Sequence, residues 1–248
     1  MFKVRIKVVE IKGDESRYPC HCLHRIGDEV IFDGDSYTGK LCVDLWPKVT
    51  EKAAILYSVG PRWVEPINYL LVHYTPVSQE DPSRKIYDGK GFRAVYEGYK
   101  NIPKYHMVNL IGKDEFKWPP VKERVNYPIT VMCPDPRTAV VVQLEAFDIA
   151  DGGYAKTFYR RQMVILDRVL KKPGVREDKI LNEFSKKEIE DIYPPLTPIM
   201  VKVMVEELVL VCHMKINDGK AYVTKKGEAK VKEFQKSLTA EERKALKV

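Results

Sequence analysis

The sequence predicts an α+β protein, built on a small mixed or antiparallel sheet with packed helices. Two observations point to this class: strand-like alternation at the start of the chain, and helical spacing of apolar residues later on. A third is the composition, 44% hydrophobic and 31% charged residues, which is typical of an ordered globular protein. We therefore expect a real hydrophobic core.

The first elements follow from local patterns. Apolar and charged side chains alternate over residues 2–11, which predicts a half-buried strand. Residues 28–32 predict a second strand, closed by the turn Asp33-Gly34-Asp35. Apolar residues at helical spacing predict a helix over 41–59, with Pro47 in its first turns.

The middle of the chain is a long insertion, residues 60–128, rich in Pro, Tyr and Trp. Loops of this length are usually functional or disordered, and the aromatic content favours an ordered region that covers or lines a site. After it, residues 129–132 and 139–147 predict a hairpin of two strands.

A helix is predicted over 158–170, ending at Lys171-Lys172-Pro173-Gly174. This break is the expected domain boundary, giving an α+β module over 1–172 and a C-terminal domain over 173–248. No uninterrupted apolar segment resembles a signal peptide or a membrane span, so we expect a cytoplasmic protein without membrane contact.

The C-terminal domain begins with two capped helices. Ser185, with Glu188 three residues later, predicts one helix start, and Thr197 predicts the next. A hairpin around Asp218-Gly219 follows, and then a helix over 228–237. This order resembles a winged-helix domain over about 185–245, with the hairpin as its wing.

The net charge of +7 is spread among acidic residues, which does not favour nucleic acid as a partner. The helix that would read DNA, residues 197–213, is mostly apolar, so we expect it to be buried against the rest of the chain or in a homo-oligomer. The basic wing keeps a transcription regulator as an alternative. Its cations are Lys220, Lys225 and Lys226.

The odd number of cysteines, five, and the absence of a secretory signal argue against a disulfide framework. Thiol and imidazole groups concentrate in the segment 20–28, and two further cysteines can join them. The candidate ligands of a divalent metal ion are Cys20, Cys22, His24, Cys42 and Cys133. Zinc would prefer the thiolates, and manganese would prefer His24, Asp28, Asp135 or His106. Buried structural cysteine is the alternative.

Candidate catalytic residues come from the same regions. Without a metal, Cys42 at a helix N-terminus could act as a nucleophile with His24 as base. Asp135 lies in the Cys-Pro-Asp turn, while Arg93 and His106 lie in the insertion, where they could bind or protonate a substrate oxygen.

The segment 2–147, apart from its insertion, resembles an uncharacterised prokaryotic family of small proteins. The shared pattern is a Cys followed by Gly-His, a Gly-Asp, a Cys at a helix start and a closing Cys-Pro-Asp before a Val-rich strand. The matching residues here are His24, Gly27, Asp28, Cys42, Cys133, Pro134 and Asp135. Leu23 stands where a Gly is usual, and Val43 where a Pro is usual. The resemblance groups these residues and implies no particular reaction.

Three functions remain open from the sequence. The first is a metal-assisted or thiol-assisted enzyme, a hydrolase or lyase, that acts on a small, oxygen-rich substrate, either cyclic or open-chain. The second is a winged-helix transcription regulator with an N-terminal sensor module. The third is a binding module without catalysis.

Overall fold

The computed structural model describes residues 1–62, 129–135, 137–153 and 155–248. These ranges hold helices together with antiparallel sheets, which confirms the predicted α+β class. The strands are β1 (Phe2–Gly13), β2 (Glu29–Phe32), β3 (Tyr37–Thr38), β4 (Ile129–Met132), β5 (Thr138–Ile149), β6 (Val175–Arg176), β7 (Met214–Asn217) and β8 (Lys220–Val223). The α-helices are α1 (Trp46–Val59), α2 (Ala155–Lys171), α3 (Lys186–Glu190), α4 (Pro198–Leu210), α5 (Lys225–Ser237) and α6 (Ala240–Leu246). Two 3₁₀ segments span Gly60–Arg62 and Glu177–Glu183.

The first sheet has the strand order β3-β2-β1-β5-β4, with each neighbouring pair antiparallel. The alternation predicted for β1 is confirmed, because Val4, Ile6 and Val8 are buried while Lys7 is exposed. A register shift between Val8 and Glu10 ends the alternation, as a β-bulge does. The strict alternation of buried and exposed residues in β1 therefore ends at Val8, although the strand continues to Gly13.

Helix α1 packs on this sheet through Val49, Ala53 and Leu56. Full burial of each Val or Leu side chain contributes roughly 1.5–3 kcal/mol. The helix begins at Trp46, later than the predicted start at residue 41. The residues before it form a turn, in which the amides of Leu45 and Trp46 both donate to the Cys42 carbonyl.

A second core lies in the C-terminal part of the chain. It contains apolar side chains of α2, α4 and α5, together with Phe2 and Ile149 from the ends of β1 and β5. Helix α2, predicted over 158–170, thus packs with the elements that follow it. The domain boundary at 172 stays a prediction.

The helix starts in this region follow their predicted caps. Ser185 and Glu188 form a capping box, and the Thr197 hydroxyl accepts from the Met200 amide. The predicted hairpin is present as β7 and β8, and Asp218 and Gly219 between them have φ of 50° and 71°, as a two-residue hairpin turn requires.

The second sheet has the order β6-β8-β7. Read along the chain, α2, β6, α3, α4, β7 and β8 give helix, strand, helix, helix, strand, strand. The winged-helix assignment stays a prediction. In the described part of the chain, no helix combines the length and the apolar character needed to cross a bilayer.

The first sheet is joined to the C-terminal core by an ionic junction, which we define as Asp148, His213 and Lys230. Asp148 Oδ1 lies 2.6 Å from His213 Nε2, and its Oδ2 accepts from Lys230 Nζ at 3.0 Å. Lys226 Nζ adds hydrogen bonds to the carbonyls of Phe147 at 3.0 Å and Val211 at 2.8 Å. The end of β5 is therefore held by side chains from two later segments, the turn after α4 and helix α5.

Candidate functional site

Three separate segments meet at one end of the first sheet. The Thr138 hydroxyl donates to the carbonyl of Tyr18, which ties the first cysteine loop to β5. Lys40 Nζ donates to the Leu23 carbonyl at 3.1 Å, so the chain before Cys42 lies beside the same loop. These contacts explain why cysteines distant in sequence share one neighbourhood.

The start of α1 is linked in turn to the end of β4. Lys48 Nζ donates to the Met132 carbonyl at 3.3 Å, and the Cys133 amide donates to the Val140 carbonyl at 2.8 Å. Cys133 therefore stands at the end of the β4–β5 hairpin, on the side from which α1 begins.

Four thiols, which we call the thiol cluster, belong to this neighbourhood: Cys20, Cys22, Cys42 and Cys133. Three are buried and Cys22 is half-buried, and all pack in one hydrophobic cluster. Burial raises the pKa of the Cys22 thiol, and the nearby thiols of Cys42 and Cys20 raise it further. Burial raises the pKa of Cys133 too, with a smaller contribution from Cys42. The thiols of Cys22 and Cys133 are thus protonated at neutral pH.

His24 lies in the same loop and is 2% exposed. Among the described residues, neither ring nitrogen has a hydrogen-bond partner, and the Oδ2 atom of Asp28 lies 3.7 Å from Nδ1. Burial lowers the pKa of His24, and the ammonium of Lys40 lowers it further. The imidazole is therefore neutral, with hydrogen-bonding capacity that no group in the described ranges uses. Leaving such a group unpaired costs about 1–3 kcal/mol.

The loop is shaped by Leu23, whose φ is 50°. The Leu23 amide donates to the Cys20 carbonyl at 2.8 Å, which closes a tight turn between the two cysteines and the histidine. A left-handed residue is most easily a glycine. The conformation thus gives a physical reason for the glycine that is usual at this place in the pattern described above.

Asp135 is held within its own turn. Its carboxylate accepts from the Arg137 amide at 2.9 Å and from the guanidinium at 3.3 Å. The hydrogen bonds from Arg137 lower the pKa of Asp135 to about 2. The carboxylate is thus ionised and paired with Arg137.

The structure places some of the predicted site residues close to one another and does not describe others. The four thiols and His24 share one end of the sheet, while Arg93 and His106 lie outside the described residues. Within the described ranges, no three His, Cys, Asp or Glu side chains stand at distances that would hold a metal ion. A metal would have to draw the thiols closer together.

Sequence reasoning did not single out Lys40. Its ammonium lowers the pKa of His24 and partly opposes the burial that raises the pKa of Cys22, so it lies near both groups. One residue separates Lys40 from Cys42, but lysine is not a metal ligand, and only the fold reveals its position.

No family model matches the chain, and neither a curated protein nor a solved structure matches it. The resemblance to the prokaryotic family described above therefore stays a prediction. The chemistry of the site must be argued from its own residues.

Proposed function

We propose that the protein binds a thiophilic divalent metal ion, with zinc the best match, through the thiol cluster and His24. One observation carries the proposal: four of the five cysteines in the chain come from three separate segments and meet at one end of the sheet. Thiolate and imidazole donors favour zinc over manganese, which prefers oxygen ligands.

The protonation states of the thiols favour a metal over a free nucleophile. The pKa values of Cys22 and Cys133 are raised, so neither is a ready thiolate. Neighbouring thiolates repel one another, and a divalent cation removes that repulsion while it displaces the protons. The cluster is thus suited to closing around an ion.

His24 supplies a nitrogen that needs a partner. A neutral imidazole whose nitrogens have no partner among the described residues can coordinate zinc or accept a proton from a zinc-bound water. Asp28, 3.7 Å from Nδ1, can then orient the ring, as carboxylates do behind metal-bound histidines.

The reaction that this ion would serve is the hydrolase or lyase reaction expected from the sequence. Zinc in an open site lowers the pKa of bound water and polarises a carbonyl. That the substrate is small and oxygen-rich, either cyclic or open-chain, remains a prediction, because Arg93 and His106 lie outside the described residues.

The number of protein ligands separates catalysis from the third alternative, a binding module. Four protein ligands make a closed structural or sensing site, whereas three leave a position for water. Cobalt substitution followed by optical spectroscopy reports this number, because thiolate-to-cobalt charge-transfer bands grow with each sulfur and ligand-field bands respond to coordination geometry.

The direct test is metal analysis of reduced, full-length protein purified without chelators, followed by zinc titration against a chromophoric chelator. We expect one zinc per chain, with binding lost in the Cys42→Ser and Cys133→Ser variants. Cys212→Ser is the matched control, since Cys212 is exposed and lies in the C-terminal region. Equal zinc binding by the three variants would contradict the proposal.

The transcription regulator is favoured by one observation, the element order of the C-terminal region. Its reading helix would be α4, but the guanidinium of Arg62 lies 3.5 Å from Glu206 and 3.1 Å from Glu207 of that helix. Lys226, one of the cations expected on the wing, lies instead in the first turn of α5 and is likewise engaged with backbone carbonyls. A gel shift with genomic fragments at low salt tests this function, and we expect no complex at micromolar protein.

A further inference from the structure

We propose that Cys22 and Cys42 form a reversible disulfide when a peroxide reaches the metal-free site, and that zinc and this disulfide exclude each other. The inference rests on the proposed function insofar as the same thiols would hold the ion. The formation of the disulfide is argued only from the contacts between the cysteine loop and the chain around Lys40.

Geometry selects this pair. The chain around Lys40 lies along the chain around Leu23, where the Lys40 ammonium donates to the Leu23 carbonyl at 3.1 Å. Cys22 and Cys42 are each within two residues of that contact, and both pack in the same cluster as free thiols. Cys42 also contributes more than Cys20 to the raised pKa of the Cys22 thiol, as the closer of two neighbouring thiols would.

Exposure assigns the two roles. Cys22 is half-buried, whereas Cys42 is 9% exposed, so the oxidant reaches Cys22 first. Cys42 is then the resolving thiol.

The chemistry balances with one peroxide. The Cys22 thiolate attacks one peroxide oxygen, the O–O bond breaks, and Cys22 becomes a sulfenic acid while hydroxide leaves and takes a proton to form water. The Cys42 thiol then attacks the Cys22 sulfur, the S–O bond breaks, and a second water leaves. Two thiols lose two electrons and the peroxide gains them, and a dithiol reductant reverses the reaction.

Tryptic mapping tests the pairing in the full chain. Reduced, metal-free protein is treated with an equimolar amount of hydrogen peroxide, alkylated and digested without reductant. Cleavage after Arg17, Arg25, Lys40 and Lys48 gives the peptides 18–25 and 41–48. We expect a cross-linked pair of these peptides in the wild type and in the Cys20→Ser variant, and its loss in Cys22→Ser.

The Cys20→Ser variant is the matched control, because Cys20 lies in the same peptide as Cys22. Circular dichroism of each variant shows whether it is folded. A folded Cys22→Ser variant that still links the two peptides would overturn the pairing, as would a dominant link from peptide 18–25 to the peptide that carries Cys133.

A second arm separates this inference from the proposed function. Protein first loaded with one zinc per chain should give at least tenfold less cross-link than the metal-free protein. If zinc binds and the cross-link forms equally in both, the mutual exclusion is wrong and the metal site survives. If zinc does not bind but the cross-link forms, the proposed function fails and the disulfide stands.

Discussion

The thiol cluster and the ionic junction differ in how far their buried polar groups are paired: among the described residues, His213 lacks a partner only at Nδ1, whereas His24 lacks one at both nitrogens. At the junction, Asp148 binds both His213 and Lys230, and the Ile149 amide donates to the same carboxylate. At the thiol cluster, His24 is equally buried, but neither of its nitrogens has a hydrogen-bond partner in the part of the chain that the structure describes. Paired groups hold a structure together, whereas unpaired ones in a native protein need another explanation, such as a ligand. The difference supports the proposal that the thiol cluster binds a ligand, and it agrees with a structural role for the junction.

The largest expected effect is at the junction. We expect Asp148→Asn to lower the free energy of unfolding by about 3 kcal/mol or more, because Lys230 would be left as a buried charge without its partner. Chemical denaturation measures this free energy, and the zinc affinity of the variant should equal that of the wild type. The control is Asp151→Asn, which breaks the more exposed pair with Lys3 and should cost less than about 1 kcal/mol.

The junction also predicts a pH dependence of stability. Burial alone would raise the pKa of Asp148, but the hydrogen bond with His213 and the Lys230 ammonium hold it well below its usual 3.8. Because the pKa is lower in the folded state, the stabilisation by Asp148 is complete above about pH 5 and is lost as the pH falls below about 4.

Urea denaturation at several acidic pH values measures this dependence. The free energy of unfolding of the wild type should fall more steeply below about pH 4 than that of Asp148→Asn. Parallel profiles for the two proteins would mean that Asp148 contributes nothing to the acid sensitivity, and the junction would lose its structural role.

Substitution of the two buried histidines by leucine contrasts the regions directly. We expect His24→Leu to leave the free energy of unfolding unchanged or to raise it by up to about 1–3 kcal/mol, since the lost ring nitrogens have no partner among the described residues. His213→Leu should cost about 2 kcal/mol or more, because it leaves Asp148 without its 2.6 Å hydrogen bond.

Zinc affinity should show the reverse order. His24→Leu should weaken zinc binding at least about tenfold, which is the effect typical of lost ligands or their supporting groups, while His213→Leu should leave it unchanged. Competition with a chromophoric chelator measures both. A strongly destabilised His24→Leu variant with normal zinc affinity would assign His24 a purely structural role.

Local patterns predicted much of the fold. The alternation of β1, the capping box at Ser185 and the Asp218-Gly219 turn each depend on neighbours in sequence, and the structure confirms them. The predicted start of α1 was wrong, because the helical spacing of apolar residues continues into the turn that precedes the helix. The hydrogen bonds to the Cys42 carbonyl identify that turn, and they cannot be read from the sequence. Helix α6 was missed, although Thr239 and Glu242 form a capping box in its first turn.

The candidate site was predicted only in part. The residue types around Cys20 and His24 suggested a metal or thiol site, but the thiols meet through contacts between distant residues, such as Lys48 with Met132. The ionic junction joins Asp148 on β5, His213 after α4 and Lys230 on α5, so no local sequence pattern predicts it. Long-range pairing of this kind depends on the sheet order and not on spacing along the chain.

The smallest expected effect concerns the shape of the cysteine loop. Leu23 has φ of 50° and is 66% exposed, so Leu23→Gly should raise the free energy of unfolding by roughly 0.5–1 kcal/mol by relieving left-handed strain. Ile26→Gly is the matched control: Ile26 is 67% exposed without a positive φ, and its replacement should destabilise by a similar amount. Thermal denaturation of both variants checks the sign.

The most direct test of the thiol cluster as a metal site is X-ray absorption fine structure at the zinc edge of the loaded, reduced protein. Three or four sulfur neighbours at about 2.3 Å are expected, with any remaining ligand being nitrogen or oxygen at about 2.0–2.1 Å. The same spectrum from Cys133→Ser should show fewer sulfur neighbours, while that from Cys212→Ser should match the wild type. A first shell of only nitrogen and oxygen would contradict the proposal.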